Sequence, residues 1–355
     1  MLLLAGSSKS ELWHNARLEE DLLTCYTNIK VMKLVIMIPC LNEEATLPLV
    51  LKSLPKKISG IDNIEVLLID DGSTDKTIGV AKKYGVKQFL IHTTNQGLSR
   101  SFRHGLNRAL EMGADIIVLT EGDNQYPQER IPDLIKPILD GKADTVIADR
   151  QTQTINHFSR RKKFFQKFGT MVLNFAAGTN IPDAISGFRA YSRRAAMQLN
   201  PIADYSWATE TTIQAAHKGH ALAILPITTN PKLRESRQFK SSWEHIRKSS
   251  VTIIRAFIMY RPYALFFSVG GILLVIGLIP LINFTVLTIT TKNPFGPHHL
   301  QSLLIGSMFV VISFVSFALG VIADLIRINR IMTEDLLELQ KRQLYGDNSS
   351  LVKEP

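Results

Sequence analysis

Cysteine is almost absent from this chain of 355 residues, since only Cys25 and Cys40 occur. Two cysteines form neither a disulfide framework nor a zinc site, which fits a protein kept in a reducing cytoplasm. The sequence also lacks internal repeats and low-complexity tracts. These absences exclude a disulfide-stabilised scaffold and a repeat protein. The length favours one large domain or two ordinary ones.

Charged side chains are missing from two long apolar segments, 264–283 and 303–323. A helix that rises about 1.5 Å per residue needs roughly 20 residues to cross the core of a bilayer. The residues between the segments include Pro294, Gly296 and Pro297, which are typical of a tight loop. The sequence therefore predicts a transmembrane helical hairpin.

Basic residues are concentrated on one side of this hairpin. Eight of them lie between residues 232 and 261, and Arg327 and Arg330 follow the second segment, whereas the loop has only Lys292. By the positive-inside rule, the N-terminal region, both termini and both ends of the hairpin are expected in the cytoplasm. The net charge of +10 is then better explained by interactions with anionic lipid headgroups and phosphorylated substrates than by binding to nucleic acid.

Short apolar runs alternate with longer amphipathic ones from Lys33 onward, as in a largely parallel sheet covered by helices. Strands are predicted at 34–38, 64–69, 86–91, 116–119, 145–148 and 221–225. Helices are predicted at 46–54, 75–84, 98–112, 131–139 and 209–217, with an interfacial helix at 243–259. The tail after Thr333 is expected to form a short helix followed by disorder.

Five regions follow from this pattern. We expect an N-terminal extension (1–32), a catalytic domain (33–232), a juxtamembrane amphipathic segment (233–262), the transmembrane hairpin (263–330) and a cytoplasmic tail (331–355). The first 31 residues are either a poorly packed extension or lie before a true start at Met32, and the second reading is favoured.

A polar cluster follows the predicted strand 116–119. Glu121, Asp123 and Gln125 would lie at its carboxyl end, the edge of an open α/β sheet where ligands bind. Their oxygens suit a hard divalent cation that is held mostly by a bound diphosphate. Taken alone, the cluster is weak evidence, because a strand that ends in Asp and Asn is usually followed by an ordinary turn.

Two further strands end in acidic loops at the same edge, Pro39–Glu44 and Asp70–Asp75. Carboxylates in these loops can accept hydrogen bonds from base N–H groups and ribose hydroxyls. Ser73 and Asp75 are expected to form a turn and a helix cap. For Asp70 and Asp71 the combined pattern favours contact with a ligand.

Four motifs occur in order along the chain: Pro39-x-x-Asn42-Glu43, Asp70-Asp71-Gly72-Ser73-x-Asp75, Asn95-x-Gly97 and the acid-x-acid cluster. As an ordered set they resemble glycosyltransferase family 2, which has the GT-A fold. Ser186–Arg189 and the membrane hairpin narrow the resemblance to the polyprenyl-phosphate glycosyltransferases, the group that includes dolichol-phosphate mannose synthase and bacterial undecaprenyl-phosphate enzymes. The resemblance covers roughly 33–330.

The resemblance implies a site for a UDP- or GDP-linked sugar and a divalent cation, Mg²⁺ or Mn²⁺. The cation would be bound by Asp123, Gln125 and Glu121, although the family usually has Asp where this chain has Glu121. The residues implied to bind the nucleotide-sugar are Pro39, Asn42, Glu43, Asp70, Asp71, Glu121 and Gly122.

The acceptor implied by the resemblance is a polyprenyl phosphate. The site has to accommodate the negative charge of this phosphate and orient its attacking oxygen toward the sugar. Arginine suits this task because its planar fork matches phosphate geometry. The residues in matching segments are Arg150, Arg161, Arg189, Arg234 and Lys240, with Arg150 and Arg234 preferred.

Three acids are candidates for catalysis: Asp123, Asp183 and Glu210. Glu210 is also explained by a favourable charge at a helix N-terminus. His217 and His220 straddle the predicted end of a helix and are interpreted as surface residues rather than a metal pair.

The leading hypothesis is an inverting membrane glycosyltransferase that moves a sugar to polyprenyl phosphate at the cytoplasmic face. One alternative keeps the fold but transfers to a glycolipid or polysaccharide hydroxyl, which would demand a general base. Another is a non-catalytic membrane subunit with the same fold. Homo-oligomerisation stays open.

Overall fold

The N-terminal region is built around a seven-stranded sheet. The structure is a computed structural model, and it describes residues 31–151, 171, 174, 178, 181–201, 207–231, 258–259, 261–290 and 297–346. The strand order is β3-β2-β1-β4-β6-β5-β7. Only β6 runs antiparallel to its neighbours. The strands are β1 (Lys33–Cys40), β2 (Asn63–Asp70), β3 (Gln88–Ile91), β4 (Ile116–Leu119), β5 (Thr145–Asp149), β6 (Arg189–Ser192) and β7 (Leu222–Pro226).

Helices cover both faces of the sheet, so that the central strands are buried on each side. Successive residues of β1 point to opposite faces: Leu34 and Ile36 belong to one apolar cluster, and Val35 and Met37 to the other. The helices are α1 (Leu47–Ser53), α2 (Thr77–Lys83), α3 (Leu98–Glu111), α4 (Ile131–Leu139), α5 (Arg193–Gln198) and α6 (Trp207–His217).

The predicted α/β architecture with a mostly parallel sheet is confirmed. Every predicted strand and helix between 34 and 148 is present, with ends that differ by at most two residues. The strand β6 and the helix α5 were not predicted, and β6 separates the two parallel halves of the sheet. The predicted interfacial helix 243–259 lies outside the described residues except for 258 and 259, as do residues 1–30.

Two long helices follow, α7 (Pro262–Thr290) and α8 (Pro297–Tyr345). Both are long and apolar enough to cross a membrane, and only 11% and 22% of their most apolar windows are buried within the protein. A core helix of a soluble domain would be mostly buried, so these two helices are candidate membrane spans.

Small residues let α7 and α8 approach closely. A Cβ at Gly277 would lie 2.9 Å from the carbonyl oxygen of Gly306. The Ser313 hydroxyl donates to the Gly270 carbonyl at 2.8 Å, and the Ser316 hydroxyl donates to the Phe266 carbonyl at 2.8 Å. Close backbone contact and interhelical hydrogen bonds are how helices associate without a hydrophobic driving force between them.

The helix α8 is longer than expected. The sequence predicts a separate short helix after Thr333, but α8 continues unbroken through Thr333 to Tyr345. The reason is that residues 334–345 are good helix formers without proline or glycine, and they pack on the N-terminal α/β region.

Candidate active site

Two loops at the carboxyl edge of the sheet are tied to each other. Asn42 has a left-handed backbone (φ 54°), which asparagine tolerates better than most residues. Its side-chain oxygen accepts the Thr74 N–H at 2.7 Å, and its own N–H donates to the Ser73 hydroxyl at 2.9 Å. Gly72 has a φ of 80°, and a Cβ there would lie 2.9 Å from the Asn95 nitrogen. The turn after β2 therefore requires glycine.

The loop after β4 is joined to the loop after β1 through Thr46. Its hydroxyl lies 2.7 Å from Glu43 Oε2 and 2.8 Å from the Gly122 carbonyl oxygen. The Glu43 N–H donates to Thr77 Oγ1 at 2.9 Å, and Glu43 is buried. Pro39 is buried in β1, where it pairs with Ile69. The loops after β1, β2 and β4 thus form one assembly.

Asp70 has one carboxylate oxygen without a partner. Its Oδ2 accepts the Ser73 N–H at 3.2 Å, whereas its buried Oδ1 accepts no hydrogen bond among the described residues. Only 1% of Asp70 is exposed. An unpaired buried acceptor costs free energy, so its position points to a polar ligand that completes the site.

Asp71, by contrast, is surrounded by protein donors. It accepts the N–H groups of Gln96 and Gly97, each at 2.9 Å, and it contacts His92 Nδ1 at 2.8 Å. Since a carboxylate only accepts, His92 Nδ1 donates, and His92 Nε2 lies 3.0 Å from His104 Nδ1. Asp71 therefore holds the 92–97 loop, and any nucleotide contact would be an addition to that role.

The two histidines next to Asp71 were not identified from the sequence. Burial, followed by the charges of His92, Arg103 and Arg100, lowers the pKa of His104 from its ordinary value. His104 is therefore uncharged at neutral pH and can take part in the row of contacts that runs from His104 through His92 to Asp71. The one sequence signal for this region was the Asn95-x-Gly97 motif of the family resemblance. It lies near His92 in the sequence but did not point to either histidine.

Asp123 and Gln125 lie together in the loop after β4. Asp123 Oδ1 accepts the Gln125 N–H at 3.1 Å, and Asp123 Oδ2 is in hydrogen-bond contact with the Gln125 side-chain amide. Asn230, after β7, covers this loop by donating to the carbonyl oxygens of Gln125 and Asn124. Asp123 is 9% exposed.

These residues fit a small divalent cation only with help from the substrate. The described residues contain no group of three His, Cys, Asp or Glu side chains arranged to hold a metal. Asp123 supplies carboxylate oxygens and Gln125 an amide oxygen, which is the small protein contribution that Mg²⁺ accepts when phosphates supply further oxygens.

Glu121 lies beside Gly187 and Tyr126. A Cβ at Gly187 would collide with Glu121 Oε1 and would lie 3.2 Å from the Tyr126 hydroxyl. The Tyr126 hydroxyl accepts the Gly187 N–H at 2.8 Å. Burial, with the charge of Glu121 next, raises the pKa of Tyr126. Tyr126 therefore stays protonated and can donate its own proton toward an oxygen.

Arg150 and Asp183 form a two-point ion pair. Arg150 Nε donates to Asp183 Oδ2 at 2.7 Å and Nη2 donates to Oδ1 at 3.0 Å. Burial acts against the charged form of Arg150, but Tyr126 and the Asp183 pair outweigh it and raise its pKa. Asp183 is 2% and Arg150 26% exposed. The structure thus brings a predicted catalytic acid and a predicted phosphate-binding residue together, with only the arginine accessible.

The prediction that Arg189 binds the acceptor phosphate conflicts with its position. Arg189 is fully buried. Its guanidinium donates to the carbonyl oxygens of Ser186 and Ala184 at 2.7 and 2.8 Å, and to the hydroxyls of Thr211 and Thr212 at 3.1 and 2.9 Å. Protein acceptors therefore hold this side chain inside the fold.

Glu210 is paired with a residue of the long C-terminal helix. Its Oε1 accepts from Arg330 Nη2 at 2.6 Å, and Glu210 is 4% exposed. A partner 120 residues away cannot be read from a single sequence. The predicted phosphate-binding residues Arg161, Arg234 and Lys240 lie outside the described residues.

The interpretation of His220 as a surface residue is wrong, because it is 7% exposed. Its Nε2 lies 2.6 Å from Gln198 Oε1 and its Nδ1 lies 3.3 Å from Thr145 Oγ1. His217 is exposed, as expected.

Residues 35–199 match the family model described as glycosyl transferase family 2. An uncharacterised protein of Methanocaldococcus jannaschii is 32% identical over 56% of this chain and 81% of its own length. The undecaprenyl-phosphate mannosyltransferase of Micrococcus luteus is 28% identical over 56% of this chain and 83% of its own length.

Among solved structures, the chain resembles glucosyl-3-phosphoglycerate synthase of Mycobacterium tuberculosis in complex with UDP. The TM-score is 0.50 and the identity 20%, over 72% of this chain and 86% of that chain. At this identity, the similarity concerns the fold alone.

Proposed function

Because the chain belongs to glycosyl transferase family 2 and has its GT-A fold, we propose that it transfers a sugar from a nucleoside diphosphate to a polyprenyl phosphate. The anomeric centre is inverted in a single displacement. The sugar remains on the lipid at the cytoplasmic face of the membrane. The name of the Micrococcus relative, undecaprenyl-phosphate mannosyltransferase, supports this choice of acceptor.

The donor binds at the joined loops after β1, β2 and β4. Asp70 Oδ1, which is buried and has no partner in the described part of the chain, accepts a hydrogen bond from the base or the ribose. Asn42 and Thr46 act indirectly, because they hold the three loops in one arrangement. Glu43 and Gly122 line the same assembly.

Asp123 and Gln125 would hold Mg²⁺ or Mn²⁺ in this proposal. The cation, when bound, stabilises negative charge on the departing nucleoside diphosphate. Glu121 lies next to Gly187 and Tyr126, so its assignment as a ligand has less support than that of Asp123.

The acceptor phosphate binds at Arg150. Asp183 fixes the guanidinium by two contacts and so holds it ready for the phosphate without a further ordering cost. Asp183 and Glu210, the acids proposed for catalysis, are each in an ion pair with an arginine. Neither is arranged as a general base, and a lipid phosphate, already anionic, needs none. This favours phosphate over a hydroxyl acceptor.

The membrane helices bring the site to its substrate. The proposed catalytic domain, 33–232, is followed by the candidate spans α7 and α8. By the positive-inside rule, the basic residues before α7 and after the apolar part of α8 support a cytoplasmic location for the domain and both termini. The predicted juxtamembrane segment 233–262 lies mostly outside the described residues.

The observation that carries the proposal is the buried Asp70 oxygen, which has no partner among the described residues, at the same sheet edge as the Asp123–Gln125 pair. The test incubates the purified protein in vesicles with polyprenyl phosphate and a panel of labelled UDP- and GDP-sugars. We expect one donor to yield a labelled lipid with release of nucleoside diphosphate. If no donor reacts, the chain is a non-catalytic subunit. If label enters only a glycolipid or polysaccharide hydroxyl, the assignment of polyprenyl phosphate as the acceptor is wrong.

A further inference from the structure

The helix α8 is far longer than a membrane requires. It has 49 residues, whereas roughly 20 suffice to cross the bilayer core. Its uncharged stretch ends at Ala323 and is followed by Asp324. The remaining part, Asp324–Tyr345, is here called the charged half of α8. At about 1.5 Å per residue it extends roughly 33 Å beyond the apolar half.

The charged half of α8 packs against α6 of the catalytic domain. Arg330 Nη2 lies 2.6 Å from Glu210 Oε1. At the other end of α6, Lys218 Nζ lies 2.9 Å from Asp335 Oδ1 and 3.2 Å from Glu338 Oε2. The two basic residues are largely buried, with side-chain exposures of 17% and 13%. Both ends of α6 are therefore attached to one continuous helix.

The same half of α8 also contacts α5 and the residue after it. Gln198 donates to Glu338 Oε1 at 2.9 Å, and Lys341 Nζ donates to the Leu199 carbonyl at 3.0 Å. Arg193 is in hydrogen-bond contact with the carbonyl oxygen of Tyr345. These contacts fix the rotation of α8 against the domain as well as its distance.

Hydrogen bonds lead from α6 to the candidate acceptor side. The hydroxyls of Thr211 and Thr212, next to Glu210 in α6, accept from the buried Arg189. Arg189 in turn donates to the carbonyl oxygens of Ala184 and Ser186. Those two residues belong to the loop 183–187, in which Asp183 holds Arg150.

We propose that the charged half of α8 is a rigid support that holds the loop 183–187, and through it Arg150, at a set height above the membrane. Glu210, Arg330 and Arg189 are then positioning residues. Glu210 acts through Arg330 and not on the substrate. The inference rests on the proposed function in that its acceptor is a lipid phosphate.

The support acts on an acceptor that is embedded in a bilayer and not on one that arrives from water. A short-chain prenyl phosphate in solution can reach Arg150 at any domain height, whereas a long-chain lipid cannot leave the membrane surface. Separating these two acceptors distinguishes positioning from chemistry.

The test uses the full-length protein in nanodiscs with Arg330→Gln and Lys218→Glu. Arg327→Gln is the matched control, because Arg327 pairs with Asp324 of its own helix. Arg330→Lys is the conservative variant. Two quantities are measured: hydrogen exchange of residues 181–187 and 207–217, and kcat/KM for embedded long-chain and for soluble short-chain prenyl phosphate.

We expect faster exchange in both segments for Arg330→Gln and Lys218→Glu only. For the embedded acceptor, kcat/KM should fall by about tenfold to a hundredfold, the range that a small displacement of reacting groups produces. For the soluble acceptor the fall in kcat/KM should be clearly smaller, and the KM of the donor should stay within about twofold of the wild type. Arg330→Lys keeps a positive charge beside Glu210 but cannot also keep the contact with Glu334, so it should recover part of the loss.

Unchanged hydrogen exchange would overturn the inference, whatever the activity. So would an equal loss for both acceptors, because Glu210 would then serve the chemical step or the fold itself. If the wild-type protein uses neither acceptor, the proposed function fails, while hydrogen exchange still decides whether α8 holds the loop 183–187.

Discussion

Two adjacent aspartates at the end of β2 have different surroundings. Asp70 keeps a buried oxygen that has no partner among the described residues, whereas Asp71 receives three contacts from the 92–97 loop. The sequence does not distinguish the two, because a pair of acids after a strand does not indicate which one is hydrogen-bonded within the protein. At the residue scale, the unsatisfied oxygen makes Asp70 the stronger candidate for a ligand contact.

Asp183→Asn tests whether this acid positions Arg150 or acts as a base. An asparagine loses the charge and one of the two acceptor contacts, so that Arg150 becomes less ordered. We expect the KM for polyprenyl phosphate to rise about tenfold, from the loss of a charge-assisted hydrogen bond, with kcat nearly unchanged. Steady-state kinetics at several pH values provide the measurement.

Arg150→Lys is the companion to that variant and should raise the same KM, because a lysine cannot make the two-point contact. A collapse of kcat alone in Asp183→Asn, together with loss of the acidic limb of the wild-type pH profile, would instead identify a general base.

His220 makes the stability of the domain depend on pH. Burial is the main cause that lowers its pKa from 6.5 to about 4. Below pH 6.5 the unfolded chain binds a proton that the folded one does not bind until about pH 4. The stabilisation from neutral His220 is therefore complete above pH 6.5 and is lost as the pH falls toward 4.

For His220→Gln we expect a smaller loss of stability between pH 6.5 and 4, by up to about 3 kcal/mol at roughly 1.4 kcal/mol per pKa unit. Thermal unfolding of variant and wild type across this range measures it. Equal slopes for the two proteins would show that His220 does not titrate differently on folding.

At the scale of elements, the sequence predicted the parallel strands because each is a short apolar run followed by turn residues. It did not predict β6, which has four residues and begins with a buried arginine, Arg189. Apolar periodicity cannot identify a strand in which a charge is neutralised by carbonyl oxygens and hydroxyls from distant residues.

The predicted site residues show the same contrast between local features, which the sequence predicts, and contacts between distant residues, which it does not. Asp123 and Gln125 are neighbours in sequence and were predicted to lie together, which the structure bears out. The pairs Arg150–Asp183 and Glu210–Arg330 join residues 33 and 120 positions apart. Each partner has an ordinary local explanation, so a single sequence does not indicate the pairing.

The membrane hairpin should be sensitive to one glycine and tolerant at another. A Cβ at Gly277 would meet the Gly306 carbonyl oxygen at 2.9 Å and Phe309 Cβ at 3.0 Å, whereas a Cβ at Gly271 would meet nothing within 4 Å. We expect Gly277→Ala to weaken helix pairing by about 1–3 kcal/mol through overpacking. Unfolding in SDS mixtures measures this difference.

Gly271→Ala is the control for that variant and should leave pairing unchanged or slightly stronger, since alanine favours the helix. Equal effects of the two substitutions would mean that α7 and α8 do not pack through Gly277.

At the scale of the whole molecule, the fold combines an α/β domain with two candidate membrane spans, the second of which continues along the domain as one helix. The proposed donor side lies in the loops after β1, β2 and β4, and the proposed acceptor side lies in the loop 183–187, which Arg189 joins to α6. Under the proposed function, the two spans keep a transferase with a soluble donor next to an acceptor in the membrane.

The direct test of the account is sugar transfer to polyprenyl phosphate by the wild type, Asp123→Asn and the surface control Asp133→Asn, with excess EDTA and after added Mg²⁺ or Mn²⁺. We expect EDTA to stop transfer by the wild type and the control, and the metal to restore it. Asp123→Asn should stay at least about a hundredfold slower, the scale of losing one preorganised electrostatic contact in a transition state. Normal turnover by Asp123→Asn in excess EDTA would contradict the account.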